Sequence, residues 1–178
     1  MEKLILKDFL ERLPNVSGEN YYFIYYGELH LLVSVLPVVK RIFSLKGVAC
    51  TLRLKPYVES KFLKEMEVKG YDIDDLMESG KLTLMDECEK SICEKDSFAM
   101  VMQEWCEQAK RNGFHTLVHL SQVVVGLHQV GPAKFKVMEN QLSENIFGLP
   151  MACVCYYPFD YFFTYESGEQ AKNYFTGF

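Results

Sequence analysis

The sequence predicts an α/β protein: a single domain with a mostly parallel five-stranded sheet and helices on both faces. Two patterns point there. Segments rich in β-branched and aromatic residues alternate with longer amphipathic stretches, the way strands and crossover helices read in parallel sheets. The strands themselves, "VACTLRL" and "MACVCYY" among them, are almost continuously apolar, as strands covered on both sides must be. A chain of 178 residues can bury about 70% of its unfolded surface in one core, so no disulfide or metal staple is needed.

Residues 2–13 place Leu6, Phe9, Leu10 and Leu13 along one helical face. "PNVSGEN" then breaks the chain. This divides the protein into an N-terminal helix and connector, 1–19, and an α/β domain, 20–178. "YYFIYY" is the first strand, rich in β-favouring aromatics and ended by Gly27. A largely apolar helix follows over 29–46 and stops at Gly47. "VACTLRL" is the second strand, and Pro56 precedes a helix over "YVESKFLKEMEVKG". "DIDDLMESG" gives one or two helical turns, with Asp72, Asp74 and Asp75 read as caps at a helix start. "KLTLMD" is a short third strand. Over "SFAMVMQEWCEQAKRNG", Phe98, Val101, Met102, Trp105 and Ala109 share a helical face. "FHTLVHLS" is the fourth strand, and "PAKFKVMENQLSENIFG" a helix with Pro132 in its first turn. "MACVCYY" is the fifth strand, and "SGEQAKNYF" closes the chain as a short helix.

Composition narrows the function classes. Apolar residues make up 49% and charged residues 24%, the profile of a globular protein. A net charge of −5 and the lack of a Lys/Arg run argue against direct nucleic-acid binding. The most apolar stretch, "LHLLVSVLPVVKRIF", contains a proline and ends in Lys40 and Arg41, so no membrane span is expected. The N-terminus alternates charged and apolar residues, unlike a secretory signal. A cytoplasmic location is expected, with the six cysteines mostly reduced.

The segment after the first strand reads "YYGELHLL", which keeps one glycine and lacks the Lys-Ser/Thr pair of a phosphate-binding loop. Neither G-x-G-x-x-G nor G-x-S-x-G occurs. No nucleophile, base and orienting group line up by spacing, and the expectation is a protein that is not an enzyme and carries no cofactor. Metal is a further option. Cys153 and Cys155 share a strand face, as do His115 and His119 if their segment is extended, while Cys88 and Cys93 have four residues between them. A site from Cys153, Cys155 and His119 is one reading; buried structural thiols are the other. His30, beside Gly27 and Glu28, stands either at a pocket mouth or in a solvated loop. Glu139 lies on a helix made unusually polar by Asn140 and Asn145.

Several segments resemble a known family in order and spacing. "GYDIDDLMESGKLTLMD", "YYFIYYGELHLLVSVLPVVKRIF" with Pro37 inside its helix, "AKRNGFHTLVHLSQV" and "VMENQLSENIFGLPMACVCYY" are similar to the MEDS domain, the sensory domain of methanogens, methylotrophs and the DcmR regulator. The likeness covers about residues 20–160. It implies a RecA/KaiC-like sheet without the phosphate loop, its fifth strand set between the first and fourth. It also implies a small-molecule ligand and a signalling partner such as a histidine kinase or a transcription regulator. Carried over on matching positions, the ligand-binding residues are Cys155 and Tyr157 in "CYY" and Glu139 with Asn140 in "MEN". Tyr25, Gln122 and His30 join them at the strand ends where open α/β sheets bind ligands. Two positions depart from the family pattern: Asn20 and Tyr21 stand where a histidine often begins the first strand, and Gln122 where an acid often follows the fourth. The aromatics Tyr156, Tyr157, Phe159, Tyr161, Phe162 and Phe163 either wall a pocket or pack the last helix. The alternatives to a ligand sensor are a metal or redox sensor and a protein-interaction module acting as a homodimer.

Overall fold

Alternation of apolar side chains along the strands builds two separate cores, one on each face of a single sheet. The computed structural model describes residues 6–85 and 98–160. Cys88 and Cys93, the closing helix and Tyr161, Phe162 and Phe163 lie outside these residues. The described elements run α1 (Leu6–Arg12), a 3-10 turn (Leu13–Asn15), β1 (Glu19–Tyr25), α2 (Gly27–Ser44), β2 (Val48–Arg53), α3 (Pro56–Val68), α4 (Ile73–Glu78), β3 (Leu82–Leu84), α5 (Phe98–Arg111), β4 (Thr116–Gln122), α6 (Val123–Val130), α7 (Pro132–Ile146) and β5 (Met151–Pro158).

All the strand pairs are parallel, in the order β1-β5-β4-β2-β3, with β5 between β1 and β4 as the family resemblance implies. The steps from β1 to β2 and from β2 to β3 run the same way across the sheet. Their helices, α2 to α4, cover one face, which also receives Phe9 of α1 and Leu13. The steps from β3 to β4 and from β4 to β5 return, and α5 to α7 cover the other face. A sheet with one hand of crossover must put outward and returning helices on opposite faces. On the first face Val35, Val38, Val39 and Ile42 of α2 are fully buried on Val118, Leu120, Val154 and Tyr156. Each such side chain contributes about 1.5–3 kcal/mol of burial. On the second face Met102, Leu142 and Ile146 close over Leu117, Met151, Cys153 and Cys155.

Local signals in the sequence explain most boundaries. Asp72 caps α4 by accepting a hydrogen bond from the Asp75 backbone N–H at 3.1 Å, the capping role expected of this acidic run. Pro56 and Pro132 each open a helix, where a missing N–H costs little. The turn from α2 into β2 is held by a buried lysine: Lys81 Nζ donates to the carbonyls of Leu45 and Val48, with the Phe114 ring 5.4 Å from the ammonium. The segment 123–130, for which the sequence carried no assignment, forms α6 directly after β4. No helix among the described residues is long and apolar enough to cross a membrane.

Candidate ligand site at the carboxyl edge of the sheet

The connections leaving β1 and β2 pass over one face and the connection leaving β4 over the other, so their carboxyl ends splay apart. Open α/β sheets place ligands in such a crevice. Here it is a recess of about 460 Å³. Tyr25, Tyr26, Gly27 and Glu28 form its β1 side, Gln122 its β4 side, Pro158, Phe159 and Asp160 its β5 side, and Lys55 enters from the link between β2 and α3. Gly27 adopts φ 78°, a left-handed conformation that starts α2 immediately after the strand.

Gln122 is the hub of the recess and is 1% exposed. Its Oε1 accepts from the Lys55 backbone N–H at 3.0 Å, and its Nε2 donates to the Tyr25 hydroxyl oxygen at 2.8 Å. One side chain therefore reaches across β5 to β1 and also ties down the start of α3. Since the Tyr25 oxygen accepts from Gln122, its own O–H remains available to donate. Burial raises the Tyr25 pKa; the Gln122 bond opposes this, and the charges of Asp160 and Glu28 add to it. Tyr25 is thus a neutral donor at physiological pH. Tyr156 lies next to Gln122 in the β4–β5 register, on the same face. Its hydroxyl is buried with no hydrogen-bond partner among the described residues.

His30 stands outside the recess, on the exposed first turns of α2. Its Nδ1 accepts from the Tyr26 backbone N–H at 3.0 Å, and its ring stacks on Tyr26 with centroids 5.8 Å apart. The residue thus positions an aromatic wall. Tyr26 also meets Phe159, with ring centroids 4.6 Å apart.

Cys155, Tyr157 and Glu139 form a second group, on the opposite face of the sheet beneath α7. Tyr157 donates its hydroxyl to Glu139, and Tyr22 approaches the Tyr157 ring at 5.9 Å. Burial, then the Glu139 charge, pushes the Cys155 thiol up to about 12 against the opposing Arg53 charge, so it is no thiolate at neutral pH. Burial raises Cys153 likewise. His119, aligned with Cys153 in the β4–β5 register, has Nδ1 2.8 Å from Thr51 Oγ1 and its ring against Trp105. Burial and the Arg53 charge lower its pKa to about 3. Among the described residues no group of three or more His, Cys, Asp or Glu is arranged to hold a metal ion. Cys50, Cys106, Cys153 and Cys155 are free thiols.

The structure therefore divides the sequence candidates. Tyr25 and Gln122 meet at the recess with His30 flanking it; Cys155, Tyr157 and Glu139 meet on the far face; Asn140 is exposed on α7. Lys55, Glu28 and Asp160 enter the recess without having been singled out for it. Arg53 is a further buried group, and its signal was visible: an arginine ending an otherwise apolar strand. Its guanidinium runs under α6, where a side chain on Gly126 would come within 3.3 Å of Arg53 Nη1 and 3.0 Å of Phe135. A second recess, about 480 Å³, opens at the amino edge between α5 and the starts of β4 and β5, lined by Cys106, Phe114, Leu149 and Pro150.

A comparison with curated proteins finds no significant match. A family model, by contrast, matches residues 22–170, which takes in β2 to β5, all of β1 but its first three residues, and the recess at the carboxyl edge. The chain belongs to that family: MEDS, the MEthanogen/methylotroph, DcmR Sensory domain.

Proposed function

We propose that this sensory domain binds a small organic molecule in the carboxyl-edge recess, without transforming it, and passes occupancy to a separate output protein. The observation that carries the reading is the Tyr25–Gln122–Lys55 junction. A ligand that hydrogen-bonds the Tyr25 hydroxyl pulls on a side chain that links β1, β4 and the start of α3. Apolar walls with a few convergent polar groups suit a small ligand. The output partner is a histidine kinase or a transcription regulator in the cytoplasm, approached from the exposed carboxyl edge.

Thermal unfolding in the presence of small alcohols, amines, thiols and halomethanes tests the reading. A ligand at tenfold its Kd stabilises the fold by about 1.4 kcal/mol. Tyr26→Ala, which removes a recess wall, is expected to abolish the shift. If no compound in the panel raises the melting temperature, or if the shift survives Tyr26→Ala and Tyr25→Phe unchanged, the recess is not the sensing site.

A further inference from the structure

The charges and rings around the recess specify more than its size, if the recess is the ligand site proposed above. Tyr25, Tyr26 and Phe159 supply aromatic surface, and Tyr26 and Phe159 pack against each other with ring centroids 4.6 Å apart at an interplanar angle of 30°. Two carboxylates, Glu28 and Asp160, stand in the same wall. Both oppose ionisation of Tyr25, so their negative potential reaches the floor of the recess. The cation in the wall is Lys55. Glu28 also has Lys61 at 3.9 Å, in a pair whose two side chains are 49% and 45% exposed. A pair so open to water is weak, and a carboxylate has acceptor positions for a second partner. The chain as a whole carries −5, which draws cations towards it.

Aromatic faces beside carboxylates are the arrangement that recognises an organic ammonium ion: the rings attract the charge through their quadrupoles and shed water from its alkyl groups. We propose that the recess selects a small alkylammonium cation over a neutral molecule of the same shape. The charged head would lie between Glu28 and Asp160, its alkyl groups would contact Tyr26 and Phe159, and a ligand hydroxyl or carbonyl would take the Tyr25 O–H.

The test is a calorimetric titration of the full chain with two probes, choline and 3,3-dimethylbutan-1-ol, in which a tert-butyl group replaces the trimethylammonium. Choline is expected to bind at least about tenfold more tightly than the alcohol. Glu28→Gln and Asp160→Asn, both at the surface, should each weaken choline severalfold more than they weaken the alcohol, and raising the salt should likewise weaken choline more. If the alcohol binds as tightly as choline and Tyr26→Ala removes both, the recess remains a ligand site and the selection for cations is wrong. If neither probe binds up to tens of millimolar, the inference fails. If the broader ligand panel also fails, the recess reading goes with it.

Discussion

Replacing Gln122 by leucine removes the junction of the recess while keeping nearly the same volume. Two hydrogen bonds are lost, one of 3.0 Å from the Lys55 N–H and one of 2.8 Å to Tyr25. Neutral bonds of this kind contribute about 1 kcal/mol each, and a donor left buried without a partner costs a further 1–3 kcal/mol or so. Tyr25 borders the recess and can turn to water, but the Lys55 N–H is partly covered. The expected loss is therefore about 2–3 kcal/mol. Tyr25→Phe removes only the second bond but leaves the buried Gln122 Nε2 donor without its acceptor, and should cost about 2–3 kcal/mol. Because the two residues touch, the double variant should fall short of additivity by about 1 kcal/mol. Urea unfolding measures each value, with the midpoint moving and the slope unchanged. A loss below about 0.5 kcal/mol for Gln122→Leu, or strict additivity with Tyr25→Phe, would refute the idea that this side chain ties the strand ends together.

Three further outcomes follow from two buried groups and one turn. His119 stays neutral in the folded protein down to about pH 3, whereas in the unfolded chain it protonates near pH 6.5. The unfolded state thus binds more protons in that window, and stability falls as pH drops through it, by up to about 1.4 kcal/mol per unit. His119→Asn should flatten the fall between about pH 6.5 and 5, and an equally steep profile in the variant would count against the assignment. Cys155, with its thiol pushed up to about 12, should react with iodoacetamide at pH 8 roughly a thousandfold more slowly than a free thiol; rapid labelling of this position by mass spectrometry would contradict its burial. Gly27→Ala forces a side chain into a left-handed conformation at φ 78° and should cost about 1–2 kcal/mol in chemical denaturation, although a Cβ there meets no neighbour within 4 Å.

The sheet was legible because parallel strands announce themselves through unbroken apolar runs, and β2, β4 and β5 are buried along almost their whole length. Helix starts at Asp72, Pro56 and Pro132 were equally plain, since each residue there has one backbone role. What escaped was α6, because "VVVGLHQV" is as apolar as a strand and has a glycine inside it; only its place directly after β4, against Phe135 and Arg53, makes it helical. The candidate site was half legible. Strand polarity pointed to Tyr25 and Gln122 at the carboxyl edge. Treating "CVCYY" as one motif, however, hid the alternation that sends Cys155 and Tyr157 to one face and Tyr156 to the other. Lys55, Glu28 and Asp160 come from three separate connections, and nothing local in the sequence says that they converge.

The lysine strap at the turn into β2 has a mechanical consequence. An ammonium sealed against two carbonyls and an aromatic ring clamps the end of α2 to the start of β2, so that corner moves as one piece. At the far end α2 begins on a single glycine, backed by one imidazole on the outer surface. The tail of the helix is thus tied to the sheet by a strap that its tip lacks, and the tip, beside Tyr26, is the end that borders the recess.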